Sequence, residues 1–266
     1  MYRARMLRNE ELAQRLGRML QRDARVLAVF LVGSLAAGNA DAWSDIDLLL
    51  ATEHRDSVAA LCQGYLQQCA ELLYFRRVPG PVCLYHGITA EGDRCDLYLL
   101  LPSQIKTLSR ASLRVIWDRA RITESLAGRA AGGDPVDLSA LAGEFLRVLG
   151  LLPALVGRRE YLLGVSGAQQ LRGYLTTLLL ERDGIAGRGS TLRLNPYLSA
   201  ASRRVLDDIP IPEPTEQSIA EAYAACTREF LPSARALAAD RGVPWPDRFA
   251  AVTLERLATE LGLELP

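Results

Sequence analysis

Lysine is almost missing from this chain. Of its 31 basic residues only Lys106 is not an arginine, and 31 acidic residues bring the net charge to zero. A balanced charge supplies no global field to gather nucleic acid, which makes a long polymeric substrate a poor expectation. Histidine occurs only at His54 and His86, and cysteine at Cys62, Cys69, Cys83, Cys95 and Cys226. That scatter lacks metal-ligand spacing and gives no disulfide framework, and it suits a reducing compartment. The basic start, Met1 to Arg8, is followed by no apolar run of signal-peptide kind. No stretch reads as long and charge-free enough to span a bilayer. The expectation is a cytoplasmic protein with no membrane partner. An apolar content of 49% excludes disorder, and 266 residues are comfortable for two domains.

What the chain does have is concentrated between Val26 and Ala51. A branched, apolar strand, Val26–Val32, runs into Gly33-Ser34-Leu35-Ala36-Ala37-Gly38. Gly33 permits backbone conformations and close approaches that a side chain would block. Ser34 is expected to open a short helix whose amides suit phosphate, with Gly38 ending it. A second strand follows, Ser44-Asp45-Ile46-Asp47-Leu48-Leu49-Leu50. Residues two apart on a strand share a face, so Asp45 and Asp47 point one way while Ile46, Leu48 and Leu50 point into a core. Two carboxylates about 4 Å apart repel by roughly 4 kcal/mol at an effective dielectric of 20. A hard divalent cation such as magnesium is the natural compensation.

A third carboxylate is found by the same reasoning. Pro81–Thr89 reads as a strand, Ala90–Asp93 as a turn, and Arg94–Leu101 as the returning strand of a hairpin. Asp96 is the acid inside that strand and shares a face with Tyr98 and Leu100, while Cys95, Leu97 and Leu99 face the other way. Its competitor, Asp93, reads as a turn former. The bland alternative for Asp96 is a pairing with Arg94 or another arginine.

The layout is α+β followed by all-α. Asn9 is a candidate cap for a helix reaching Asp23, with Glu10 and Glu11 in its first turn. A helix over about 55–72, a strand near Leu72–Arg77 and a short strand Val115–Trp117 complete a mixed sheet with flanking helices, residues 1–130. Gly128–Pro135 reads as a linker. A helical bundle takes 135–266. There Asp137 caps a helix that Pro153 kinks, and a second helix runs from Arg158 to Asp183. Gly164, Ser166, Gly167 and Ala168 would let a neighbour approach that second helix closely. Gly184–Asn195 reads as a loop, and helices follow at about 196–206, 215–240 and 247–261.

Gly-Ser, a glycine four residues on, and Asp-x-Asp in the next strand resemble the nucleotidyltransferase superfamily that includes DNA polymerase beta. Within it, the sheet-then-bundle layout is similar to the lincosamide and aminoglycoside nucleotidyltransferases. The resemblance is specific over 26–50, moderate over 81–118, and one of layout beyond. It implies magnesium at Asp45, Asp47 and Asp96, and a nucleoside triphosphate, ATP first, held at Gly33 and Ser34 beside Ser44. It also implies a small hydroxyl acceptor, an antibiotic by analogy, lying between the domains, and a homodimer. Asp96 either completes the metal site or acts as base. Relatives often place a basic residue before the second glycine, where this chain has Ala37. Arg172 is the candidate to replace that charge, with the pair Arg158-Arg159 behind it. Glu160 and Glu181 are surface charges or contacts to a cationic acceptor, Trp43 a stacking or packing residue, and Tyr98 a cleft or core residue. His54 and His86 read as ordinary surface or strand residues. Competing readings are a protein-directed nucleotidyltransferase of toxin–antitoxin type and a non-catalytic binding module.

Overall fold

The computed structural model describes residues 2–126, 135–185 and 194–266, with side chains from Arg8 onward. Most of the expected Gly128–Pro135 linker, and residues 186–193 of the expected Gly184–Asn195 loop, lie outside the described residues. The chain divides into two compact units, Met1–Gly132 and Gly133–Pro266.

The first unit is built on α1 (Tyr2–Leu20), β1 (Val26–Leu31), α2 (Gly33–Ala37), β2 (Ile46–Thr52), α3 (Arg55–Cys69), β3 (Leu72–Arg77), β4 (Leu84–Thr89), β5 (Arg94–Leu100), α4 (Pro102–Ile105) and β6 (Arg114–Asp118). The strands form one sheet in the order β3-β4-β5-β2-β1-β6. The β2–β5 pair is parallel and the other neighbours are antiparallel. The sheet is therefore mixed, as the sequence leads one to expect. Strand alternation sorts its two faces. Ile46, Leu48, Leu50, Cys95, Leu97 and Leu99 pack with Leu12, Leu16 and Leu20 of α1 and Val58, Cys62 and Leu66 of α3. Phe30, Leu49 and Ala51 form a smaller core with Ile105, Leu113 and Ile122, flanked by Tyr98 and Leu100. The five cysteines are free thiols, and all but Cys69 are buried.

Asn9 does not cap a helix. It lies within α1, buried, and its Nδ2 donates to the Ser44 carbonyl at 3.0 Å. Cap preference is a local tendency, and a tertiary hydrogen bond overrides it here. Glu10, one residue on, pairs with Arg114 at 2.7 Å and ties α1 to β6.

The second unit comprises α5 (Leu138–Leu149), α6 (Leu152–Gly157), α7 (Tyr161–Arg182), α8 (Ala200–Asp208), α9 (Glu216–Asp240) and α10 (Asp247–Leu261). Asp137 caps α5 by accepting from the Ala140 amide at 3.0 Å. Pro153 does not kink a continuous helix. It sits in the first turn of α6, where its missing amide proton costs nothing. Leu138–Gly157 is nonetheless long and apolar enough by composition to cross a membrane, which corrects the expectation of no such stretch. Its Leu141, Phe145, Leu149 and Leu152 are core residues of the helical unit, with Phe145 stacked on Phe230 at 3.8 Å between ring centroids.

Gly164 and Gly167 of α7 meet α9 as expected, whereas Ser166 is exposed. A Cβ on Gly164 would stand 2.8 Å from Ile219 Cδ1, and one on Gly167 would stand 1.9 Å from the Tyr223 hydroxyl. Arg158 and Arg159 precede α7 rather than opening it, and Arg159 adopts a positive φ of 57°. Glu181 is not a surface charge. It is buried and paired with Arg241 at 2.6 Å.

Candidate active site

The site is assembled where β1 hands over to α2 and where β2 and β5 begin. Parallel pairing sets Asp47 directly opposite Asp96. Each of Asp45, Asp47 and Asp96 then offers an oxygen within 4.8 Å of the other two. Directly opposed strand residues lie on the same face, so two sequence-distant strands deliver one cluster.

The turn before the cluster is shaped to it. Gly33 has a φ of +65°, and a Cβ there would stand 2.3 Å from Asp47 Oδ2. Glycine is required on both counts: the left-handed backbone and the closeness of the carboxylate. The Val32 amide donates to the Asp47 carbonyl at 3.0 Å, fixing the turn against β2. Gly38, with φ +71°, ends α2 in the left-handed conformation. Ser34 is half-buried, and among the described residues its hydroxyl has no partner.

Charge is distributed unevenly over the three acids. Arg94 Nη2 lies 3.0 Å from Asp45 Oδ2 and 3.1 Å from Asp96 Oδ2, bridging two of them. His86 Nδ1 lies 2.7 Å from the other oxygen of Asp96. Asp47 makes no ion pair of this kind among the described residues. Burial first, then the charges of Asp45 and Asp96, push its carboxyl up to about 7. The same surroundings push the Tyr98 phenol up to about 12, burial again leading and Asp47 next. A cluster of hard oxygen donors carrying a carboxylate that the Arg94 charge offsets only in part fits a small divalent cation, and Asp45, Asp47 and Asp96 are the residues that would hold one.

Other expected site residues have different surroundings. The Ser44 hydroxyl donates to Asp41 Oδ1 at 3.0 Å and accepts from the Asp41 amide at 2.9 Å. Its carbonyl takes the Asn9 hydrogen bond, so Ser44 organises the approach to Asp45. Asp93 is buried and paired with Arg8 at 2.7 Å. Arg172 belongs to the second unit, where its Nη1 donates to the Ile209 carbonyl at 3.2 Å. Trp43 is 72% exposed. His86, read from sequence as an ordinary strand residue, is instead a direct partner of Asp96.

Comparison with known proteins shows what the motif is similar to. No curated protein matches the chain. Among solved structures, an aminoglycoside 6-adenyltransferase from Bacillus subtilis is 14% identical with a TM-score of 0.43, the match covering 92% of this chain and 95% of that one. A nucleotidyltransferase-like protein from Exiguobacterium sibiricum 255-15 is also 14% identical, with a TM-score of 0.39, covering 94% of this chain and 88% of that one. The family model for the nucleotidyltransferase domain matches residues 10–77, a segment holding Gly33, Ser34, Asp45 and Asp47. That segment is similar to a nucleotidyltransferase domain.

Proposed function

We propose that this protein is a magnesium-dependent nucleotidyltransferase that moves a nucleoside monophosphate, from ATP in the first instance, to a hydroxyl of a small molecule and releases pyrophosphate. The observation that carries this reading is the meeting of Asp45, Asp47 and Asp96 beside the Gly33 turn. Nucleotidyl transfer needs alignment and charge neutralisation more than covalent help. Asp45 and Asp47 hold the cation that accompanies the triphosphate, and the turn from Gly33, with the Ser34 hydroxyl, binds the phosphates. Asp96 completes the cation site or takes the acceptor's proton. When bound, the divalent cation draws negative charge off the reacting phosphate. Zero net charge favours a small acceptor over a nucleic acid. An antibiotic of the lincosamide or aminoglycoside kind follows from the sequence resemblance, and acceptor binding and homodimerisation are assigned to the helical unit.

The test incubates the protein with each of ATP, GTP, CTP and UTP, magnesium, and a panel of both antibiotic classes. The expected result is a mass gain of one nucleoside monophosphate on one acceptor, with pyrophosphate released. It should be absent from Asp45→Asn and Asp47→Asn proteins. Absence of nucleotide binding by the wild-type protein in magnesium would sink the reading.

A further inference from the structure

Asp96 is the most enclosed of the three acids, its side chain 7% exposed, and its two oxygens have different partners. Oδ2 faces Arg94, whose Nη2 also reaches Asp45. Oδ1 faces His86 Nδ1 at 2.7 Å. The hairpin makes this contact inevitable once its register is set, because β4 and β5 pair antiparallel with His86 directly opposite Asp96. The row continues across the sheet to Asp47, opposite Asp96 on the other side. His86 therefore stands immediately behind the third carboxylate, on the side away from the other two.

An ionised carboxylate only accepts hydrogen bonds, so the contact requires the proton of the neutral imidazole to sit on Nδ1. That bond does two things. It commits Oδ1, which leaves Oδ2 as the oxygen turned toward Asp45. It also denies Oδ1 to the Arg94 guanidinium, whose forked donors could otherwise take both oxygens of one carboxylate. Without it, Asp96 is free to rotate, and Arg94 is free to chelate it and draw it out of the cluster.

We infer that His86 is a positioning residue of the cation site: its Nδ1–H fixes the orientation of Asp96 and turns Oδ2, the oxygen shared here with Arg94, toward the Asp45 side of the cluster where a cation would be held. This rests on the reading of Asp45, Asp47 and Asp96 as a cation site. Hydrogen-bond partners of metal-binding carboxylates typically matter by 10- to 100-fold in metal affinity.

The experiment is titration of the metal-free protein with Mn2+, followed by calorimetry, with melting in EDTA as the check on folding. His86→Leu should weaken Mn2+ binding about tenfold or more while leaving the EDTA melting temperature within a few degrees. His86→Asn should restore affinity to within about threefold of wild type, because the asparagine amide nitrogen stands where Nδ1 does. His86→Gln should not, because its amide reaches the position of Nε2. The Asn and Gln variants decide the matter even if the Leu variant fails to fold, since a merely structural role would not separate them in this order. Wild-type affinity in His86→Leu, or equal affinity in the Asn and Gln variants, overturns the inference. A wild-type protein that binds no Mn2+, or binds it as well after Asp45→Asn and Asp47→Asn, overturns the underlying cation-site reading instead.

Discussion

Replacing Asp47 by asparagine tests the electrostatics of the cluster without needing a substrate. Asp47 is held at about 7, against an ordinary 3.8, by burial and by the charges of Asp45 and Asp96. A raised carboxylate means that the folded protein holds the proton more tightly than the unfolded chain. The stabilisation from that proton is complete below the unfolded value and is lost as pH rises through about 7. At full burial the displacement corresponds to roughly 4 kcal/mol, and the partial solvent contact of Asp47 reduces the expected figure to about 2 kcal/mol. Asparagine copies the shape of the neutral acid and carries no charge to repel. In EDTA at pH 8, Asp47→Asn should therefore be the more stable protein by about 2 kcal/mol, a rise of about 6 °C for a unit of this size. At pH 4 the two should converge. In magnesium the order should reverse, because a ligand at a hundred times its dissociation constant adds about 2.7 kcal/mol to the protein that binds it. Scanning calorimetry at pH 4, 6 and 8, with EDTA and with magnesium, measures all of this. An Asp47→Asn protein that is less stable than wild type in EDTA at pH 8 would refute the account of Asp47 as a charge that Arg94 offsets only in part.

Gly33→Ala should lose transfer activity and at least 1 kcal/mol of stability, because the new methyl meets Asp47 Oδ2 in a left-handed backbone; urea unfolding and Mn2+ titration check both. Arg94→Met leaves Asp45 and Asp96 without their shared cation. It should lower the melting temperature in EDTA and give a larger recovery in Mn2+ than wild type shows, and an equal recovery would mean that Arg94 does not balance the cluster. In the helical unit, Gly167→Ala should cost about 1–3 kcal/mol by driving a methyl onto the Tyr223 hydroxyl. Tyr223→Phe should cost little, since that hydroxyl is buried without a hydrogen-bond partner among the described residues, and should rescue Gly167→Ala in a double-mutant cycle.

The carboxylates were legible in the sequence because strand alternation is a strict rule: Asp45 and Asp47 lie two apart, and Asp96 sits among residues that sort cleanly to opposite faces. His86 was not legible for a reason one residue wide. A four-residue turn over 90–93 pairs Thr89 with Arg94 and would bring His86 opposite Leu97. In the structure the Thr89 amide bonds to the Asp93 carbonyl, the turn is tighter, and His86 falls opposite Asp96. A slip of one exchanges the faces of a whole strand, and composition does not reveal it. Of the two contacts of Arg94, the one to Asp96 was an alternative open from the sequence, and the one to Asp45 was hidden because it depends on the register between β2 and β5. Asn9 shows the converse case, where a strong local preference for capping gave way to a partner 35 residues away.

The parallel pairing of β2 with β5 has a consequence for how the protein acquires its chemistry. Asp47 and Asp96 face each other across a strand pair whose members are 49 positions apart in sequence, with α3, β3 and β4 folded between them. A fragment ending at Arg77 would contain the whole segment matched by the family and still lack the third carboxylate. Long-range pairings of this kind form late, because loop closure must precede the contacts that reward it. Tight cation binding should consequently appear only after the β3–β4–β5 meander has docked beside β2. Stopped-flow refolding in the presence of Mn2+ would make the metal a clock for that single event, silent while the first two strands and their helices assemble and switching on when the sheet closes.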